Sequence, residues 1–387
     1  MTDLTSTRHR PARSHATPGG PVPWVVIFSA TPWAGGAHRQ HALARELAAD
    51  HEVLFVDPPG QRPRWRGTVR QVERALWHAV PPTAAPLGRH LPPANDVNRR
   101  VAVAALRRWL RDRAGAVRLL WLDEDLAASC AARLPAAAVV YDATDLDWTF
   151  TRWWNRRHLR GSLTRAVAAA DLVLVSSAAL PARMPPVGPA PVVLPNGCDP
   201  EHFTPHGPTA PETAGLDRPL IGYCGAVDTR AFDGDLVAAV ARAHPDWTFL
   251  LVGPSTRAGR APLRGLRNVV LAGPAPYADV PAWLRACDVA VIPYRVGALV
   301  DYVHPKKCYE YLALGKPVVA TPLPALRTLT DVVRLAAGPA AFAAEVAAAL
   351  RQPARPADVA RRRAVAVGNS WPARGRALRD LLRGLPR

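Results

Sequence analysis

Short apolar runs recur along this chain, each separated from the next by a stretch long enough for a helix. The first set is Trp24–Ser29, Glu52–Val56, Val117–Leu122, Ala138–Tyr141, Leu172–Ser176 and Val192–Leu194. Runs this short and this rich in Val, Leu and Ile read as buried strands. Strands that alternate with helices build a parallel sheet covered on both faces. The series breaks at Pro195-Asn-Gly-Cys-Asp-Pro200 and a Pro-rich stretch reaching about Asp217, which reads as a linker. It then restarts at Pro219–Cys224, Trp247–Val252, Val269–Leu271, Asp288–Ile292 and Pro317–Ala320. The fold class expected is therefore α/β, with two Rossmann-like, doubly wound domains facing a central cleft. Ligands of such sheets bind beyond the carboxyl ends of the strands, so chemistry belongs in the cleft.

The 387 residues are enough for two domains with cores of ordinary size. Residues 1–20 are polar and basic and read as a disordered tail. With no apolar core they do not form a signal peptide. No apolar run approaches the roughly 20 residues of a membrane span, so any membrane contact is expected at the surface. The five cysteines never stand at CxxC spacing and the 12 histidines show no HExxH pairing. That argues against a disulfide framework or a zinc site and for a reducing cytoplasm. A formal charge of +18 favours anionic partners such as nucleotide-sugar phosphates, lipid head groups or nucleic acid, although heavy Arg, Ala and Pro use also looks like GC-rich coding.

Residues 61–113 fit the alternation least well, being interrupted by prolines and dense in arginine. Within them Asn98–Arg113 makes a basic amphipathic helix, with Val101, Ala105, Trp109, Leu106 and Leu110 on the apolar side. It suits either an anionic bilayer surface or the face of the sheet. Arg152–His158 is a second basic aromatic cluster with the same two readings, and neither carries a nucleic-acid signature.

The segment His304–Thr321 carries the most chemistry. Pro305 can open a helix, Gly315 can end it in the left-handed conformation, and Pro317 blocks continuation before the strand Val318–Ala320. Lys307 and Glu310 then share one helix face. A helix N-terminus with a lysine suits a diphosphate, and a carboxylate one turn deeper can accept both hydroxyls of a ribose. The same pattern also fits an ordinary amphipathic helix with solvated charges.

Taken together, these residues resemble the group 1 (family 4) glycosyltransferases of the GT-B fold, and most nearly the branch that builds teichuronic-acid-type or cell-surface polysaccharides. The resemblance runs from about residue 23 to 385. It rests on Pro32–Gln40 with its Gly35-Gly36 loop, Tyr141–Trp148, Ala170–Ser177, Leu194–Asp199, Ile221–Ala226, Leu251–Pro254, and Ser370-Trp371 with Arg374. Its strongest motif is Pro305-x-Lys307-x-x-Glu310-Tyr-Leu-Ala-x-Gly-Lys-Pro-Val318. The resemblance implies an acceptor domain at 21–203, a donor domain at 204–369, and a last helix at 370–387 packed back on the first domain.

It also implies transfer of a sugar from a nucleotide-diphosphate sugar, with retention of configuration and no metal or other cofactor. Arg230 and Lys307 would stabilise the leaving diphosphate. Gly225, Asp228, Pro254, Tyr302 and Glu310 would line the donor site. Gly35, Gly36, His38, Arg39 and Asp145 would lie on the acceptor side. The acceptor would be a glycan, a lipid-linked sugar or a small molecule, with an anionic membrane surface as a further partner and no specific nucleic acid. The protein would then work in the cytoplasm or at the inner face of the plasma membrane.

Two departures stand out. Family members often place a Glu eight residues before the one at 310, where this chain has Tyr302 beside Asp301, and the loop after the first donor-domain strand offers only Arg230. An inactive GT-B scaffold, a polyanion-binding protein and another GT-B activity such as a sugar-nucleotide epimerase therefore stay open at this point.

Overall fold

The computed structural model describes residues 23–34, 36–86, 91–113, 115–144, 153–297, 300–352 and 355–386. The expected tail at 1–20 lies outside them. The first domain comprises β1 (Pro23–Phe28), α1 (Arg39–Leu47), β2 (Glu52–Val56), β3 (Thr68–Glu73), β4 (Leu76–Val80), α2 (Pro92–Arg111), β5 (Ala116–Leu122), α3 (Ala128–Ala131), β6 (Ala138–Ala143), α4 (Trp153–Ala169), β7 (Leu172–Val175) and β8 (Val192–Val193). The second comprises β9 (Leu220–Cys224), α5 (Gly234–Ala243), β10 (Thr248–Val252), α6 (Arg257–Arg260), β11 (Val269–Gly273), α7 (Val280–Ala286), β12 (Val289–Ile292), α8 (Lys307–Ala313), β13 (Val318–Ala320), β14 (Val333–Leu335), α9 (Gly338–Arg351) and α10 (Pro356–Gly368). A last helix, α11 (Trp371–Leu382), follows.

The strand orders are β3-β4-β2-β1-β5-β6-β7-β8 and β11-β10-β9-β12-β13-β14. In each sheet the winding reverses at the first strand of the domain, between β1 and β5 and between β9 and β12. Those two switch points are where ligands settle in doubly wound sheets. In β1 the pleat divides the side chains cleanly. Trp24, Val26 and Phe28 enter the core beneath α2, α3 and α4, while Val25 and Ile27 enter the opposite core with Leu43, Leu47 and Leu378 from α1 and α11. Both faces are covered, which is why the strand carries no polar alternation.

Residues 61–113 hold two strands that the sequence reading passed over. Leu76–Val80 pairs parallel with β2, and Thr68–Glu73 returns antiparallel to it as the sheet edge. Helix α2 starts at Pro92 instead of Asn98, with proline in its first turn. Its buried side is Asn95, Asn98, Arg99, Ala102, Val103, Leu106 and Leu110, rotated from the expected face so that Val101 and Ala105 are only half-buried. The cause is polar: Asn98 Oδ1 accepts N–H groups of Ala84 and Ala85, each at 2.8 Å, and Arg99 pairs with Glu124 inside the domain. The helix packs on the sheet and does not offer its apolar side to a membrane.

The chain crosses between domains twice. Leu194 belongs to a first-domain core, whereas Cys198 and Phe203 belong to the second-domain core, so the outward crossing lies before the boundary read at 203. Ala366 belongs to the second-domain core and Trp371 to the first, so the chain returns between them. The crossings are bonded to each other: Cys198 N–H donates to Asn369 O at 3.1 Å, and Trp371 N–H donates to Cys198 O at 2.9 Å.

Candidate active site

At the end of β9 the chain turns through Gly225, with φ +155°. A Cβ there would stand 2.4 Å from Lys307 Nζ and 2.8 Å from the Tyr223 hydroxyl oxygen, so no side chain fits. Gly225 N–H donates to Val252 O and Val227 N–H donates to Pro254 O, both at 2.8 Å. Pro254 thus supports the turn through its carbonyl. Asp228 Oδ1 accepts the N–H groups of Arg230 at 2.9 Å and Ala231 at 3.4 Å. Its carboxylate folds the loop that carries Arg230, in the manner of an Asx turn. Arg230 itself is exposed and lines the cleft.

Helix α8 begins at Lys307 rather than at Pro305, and Gly315 follows it with φ +71°. Lys307 Nζ donates to the hydroxyl oxygens of Tyr294 at 2.7 Å and Tyr223 at 3.2 Å. Burial disfavours this ammonium, but the hydroxyls of Tyr223, Tyr294 and Tyr311 outweigh it and hold the group well above the ordinary lysine range. Lys307 is therefore a fixed positive charge directly beneath the Gly225 turn. Glu310 is buried and its Oε1 lies 3.2 Å from Lys306 Nζ. Lys306 Nζ also donates to Ala37 O of the first domain at 2.7 Å, which ties the start of α8 to the loop after β1.

Tyr302 is placed differently from a donor contact. Its carbonyl accepts Ser177 Oγ–H at 2.7 Å, its hydroxyl bonds Arg183 Nε, and the Arg183 guanidinium lies 5.0 Å from its ring centre. Ser177 and Arg183 belong to the first domain, so Tyr302 is an interdomain contact.

On the first-domain side of the cleft, Gly36 is required by packing: a Cβ would lie 2.0 Å from His41 Nε2. His38 stands at the cleft, with its pKa lowered by burial and by Lys306. Arg39 is spent on a buried two-pronged pair with Asp142, Nε–Oδ2 and Nη2–Oδ1 both 2.9 Å, and a third bond to Asn196 Oδ1 at 3.3 Å. Asn196 Nδ2 in turn donates to His304 O at 2.8 Å. The structure thus makes Arg39 an anchor of the crossing. Gly35 and Asp145 lie outside the described residues.

A cavity of about 500 Å³ spans the two domains here, with Thr31, Gln40 and Asp125 on one wall and Arg230, His304 and Lys306 on the other. His304 is held neutral, its pKa pushed down to about 4 by burial and by Arg374 and Arg39. Sequence reasoning missed the carboxylates Asp123, Glu124 and Asp125 at the end of β5. Their signal was three acids directly after an apolar strand. It also missed Tyr223 and Tyr294, which no local spacing brings to Lys307.

A family model for group 1 glycosyl transferases matches residues 218–352, the span from β9 to the loop after α9. The matched span lies within the second domain. The chain is 30% identical over 203 residues to TuaH of Bacillus subtilis (strain 168), whose name places it in teichuronic acid biosynthesis as a glycosyltransferase. That match covers 48% of this chain and 51% of TuaH, so the chain spans about half the length of this curated relative. Among solved structures, the sucrose-phosphate synthase of Thermosynechococcus elongatus superposes with a TM-score of 0.72 at 17% identity, covering 93% of this chain and 98% of that one. HepE of Anabaena, in complex with UDP and glucose, superposes with a TM-score of 0.66 at 16% identity, covering 93% and 99%. The two domains together have the GT-B fold of these structures.

Proposed function

We propose that this chain transfers a sugar from a nucleoside-diphosphate sugar to a glycan, lipid-linked or small-molecule acceptor, with retention of configuration. The observation that carries this reading is the pairing of the glycine-only Gly225 turn with Lys307 beneath it and the Glu310–Lys306 pair beside it. The turn admits a diphosphate close to the backbone, and the ammonium opposes the charge that grows on it as it leaves. Glu310 holds the ribose hydroxyls, and Arg230 closes on the phosphates from the exposed side. Charge stabilisation by these side chains suffices in this scheme, so no metal and no protein nucleophile is assigned. The acceptor enters the cavity between Thr31, Gln40 and Asp125. The UDP in the HepE complex supports a nucleoside-diphosphate donor, and the name of TuaH supports a polysaccharide product. Among the described residues no helix is long and apolar enough to cross a membrane. The described cysteines are free, and the reducing cytoplasm, at or near the membrane's inner face, is the proposed place of work.

The test is thermal stability of the protein with UDP, GDP, ADP, CDP or dTDP, beside the Glu310→Ala variant. Selective stabilisation by one nucleotide, lost in the variant, is the expected result, and it names the base for donor assays. A flat panel from a folded protein would set the reading aside.

A further inference from the structure

Trp65 is 84% exposed, the most exposed of the large apolar side chains described. It sits in a ledge, Arg62-Pro-Arg-Trp-Arg-Gly67, that follows the carboxyl end of β2 and leads into the edge strand β3. The ledge is built. Arg64 N–H donates to Thr83 O at 2.7 Å, Thr83 N–H returns to Arg64 O at 2.8 Å, and Gly60 N–H donates to Thr83 Oγ1 at 3.2 Å. A Cβ at Gly67 would lie 2.9 Å from Pro82. The exposure of Trp65 therefore belongs to a pinned backbone. Arg62, Arg64 and Arg66 flank it in the ledge, Arg70 and Arg74 follow along β3 and just beyond it, and all five are exposed. None of the five pairs with a carboxylate among the described residues, and the only acid of residues 61–75, Glu73, is taken by Arg45. Two more exposed apolar side chains, Leu91 at 48% and Val97 at 43%, stand at the start of α2. The bonds from Ala84 and Ala85 to Asn98 tie that helix to the segment after β4 that carries Thr83.

The position matters as much as the composition. The ledge follows β2 on the side where the strand ends face the cleft. Asp57, directly after β2, accepts the N–H of Trp33 at 2.8 Å from the loop after β1. We propose that this ledge docks the first domain on an anionic lipid surface, Trp65 entering the head-group layer and the arginines lying over lipid phosphates. Indole is the side chain most at home at that boundary, with an apolar body and one N–H for the wet side. Unpaired arginines bring no carboxylates with them to repel the surface. A cleft opening beside a docked ledge is placed to meet an acceptor carried in the bilayer. The proposal makes no use of the donor site, so its failure would not touch the transfer reaction.

The experiment is co-sedimentation of the full chain with vesicles of phosphatidylcholine alone or mixed with phosphatidylglycerol, at low and high salt. Binding is expected to the mixed vesicles only, and to weaken with salt. Each arginine near such a surface is worth a factor of about five in partition, so Arg62→Gln with Arg66→Gln should weaken binding roughly 25-fold. Trp65→Ser should weaken it roughly tenfold. A control losing the same charge on the second domain, Arg264→Gln with Arg267→Gln, should bind as the parent does. All these side chains are exposed, so melting temperatures should not move, and nucleotide-dependent stabilisation reports that each variant is folded. No binding by the parent, or equal loss in the control, would overturn the proposal. So would binding of polyuridylate, lost in the ledge variants, without vesicle binding; the ledge would then be a polyanion site.

Discussion

Arg39 can be assigned by removing its partner. Both side chains of the Arg39–Asp142 pair are nearly inaccessible, at 4% and 0% relative exposure, and the guanidinium meets the carboxylate through two nitrogens. Asp142→Leu would strand a buried guanidinium with only the Asn196 amide oxygen for company. Breaking a buried pair from one side costs about 3–5 kcal/mol. For a domain of this size each kcal/mol moves the melting temperature by roughly 2–4 °C, so the variant should melt roughly 6–20 °C lower. Arg39→Met should cost a similar amount, because it leaves a buried carboxylate. The double variant, Arg39→Met with Asp142→Leu, should recover most of the loss, since two apolar groups need no partner. The assay is thermal and urea unfolding of the four proteins as a double-mutant cycle. Single variants within about 1 kcal/mol of the parent, with transfer activity lost only in Arg39→Met, would refute the reasoning and return Arg39 to the acceptor site.

Other consequences can be checked in the same preparations. Gly225→Ala forces a Cβ against Lys307 at a backbone angle that alanine resists, so stability should fall by about 1–3 kcal/mol and nucleotide-dependent stabilisation should disappear in thermal scans. Tyr302→Ala removes the Arg183 contact and the ring beneath it, and should raise the radius of gyration seen by small-angle scattering, whereas Tyr302→Phe, which keeps the ring, should raise it less. His41 and His304 are both pushed down to about 4, chiefly by burial, so the folded state holds them neutral while the unfolded chain protonates near 6.5. Their contribution is fully present above pH 6.5 and is lost as pH falls toward 4, so melting temperature should drop across that window and less steeply in His41→Asn. A flat profile would contradict the assignment.

The two sheets were legible because buried parallel strands leave unbroken apolar runs, and Val25–Phe28 or Phe249–Val252 allow no other reading. The strands β3 and β4 were not. Thr68–Glu73 lies on the sheet edge with mostly exposed side chains, so its composition follows solvent and not the core. The rotated face of α2 was hidden for a related reason: Asn95, Asn98 and Arg99 are buried by polar partners elsewhere in the chain, which apolar periodicity does not register. In the candidate site, helix spacing put Lys307 and Glu310 on one face but fitted an ordinary amphipathic helix equally well. The tyrosines around Lys307 and the second duty of Lys306 were not legible, because Tyr223 is 84 residues away and Ala37 is 269 residues away. Tyr302 could be read as a missing carboxylate but not as a contact with Arg183, which depends on how the two domains face each other.

The paired crossings carry a mechanical consequence. A single connecting strand would leave the two halves of the molecule free to swing, twist and slide. Here the return strand is stitched to the outgoing one at Cys198, Asn369 and Trp371, and α11 is clamped to the first domain through Arg379 with Glu46 and Asp50. Two threads bound side by side form one axle. Of the relative motions of the halves, rotation about that axle is the one this stitching opposes least. Cutting the chain before Trp371 would remove the second thread and, with it, one of the constraints that keep Ala37 beside Lys306.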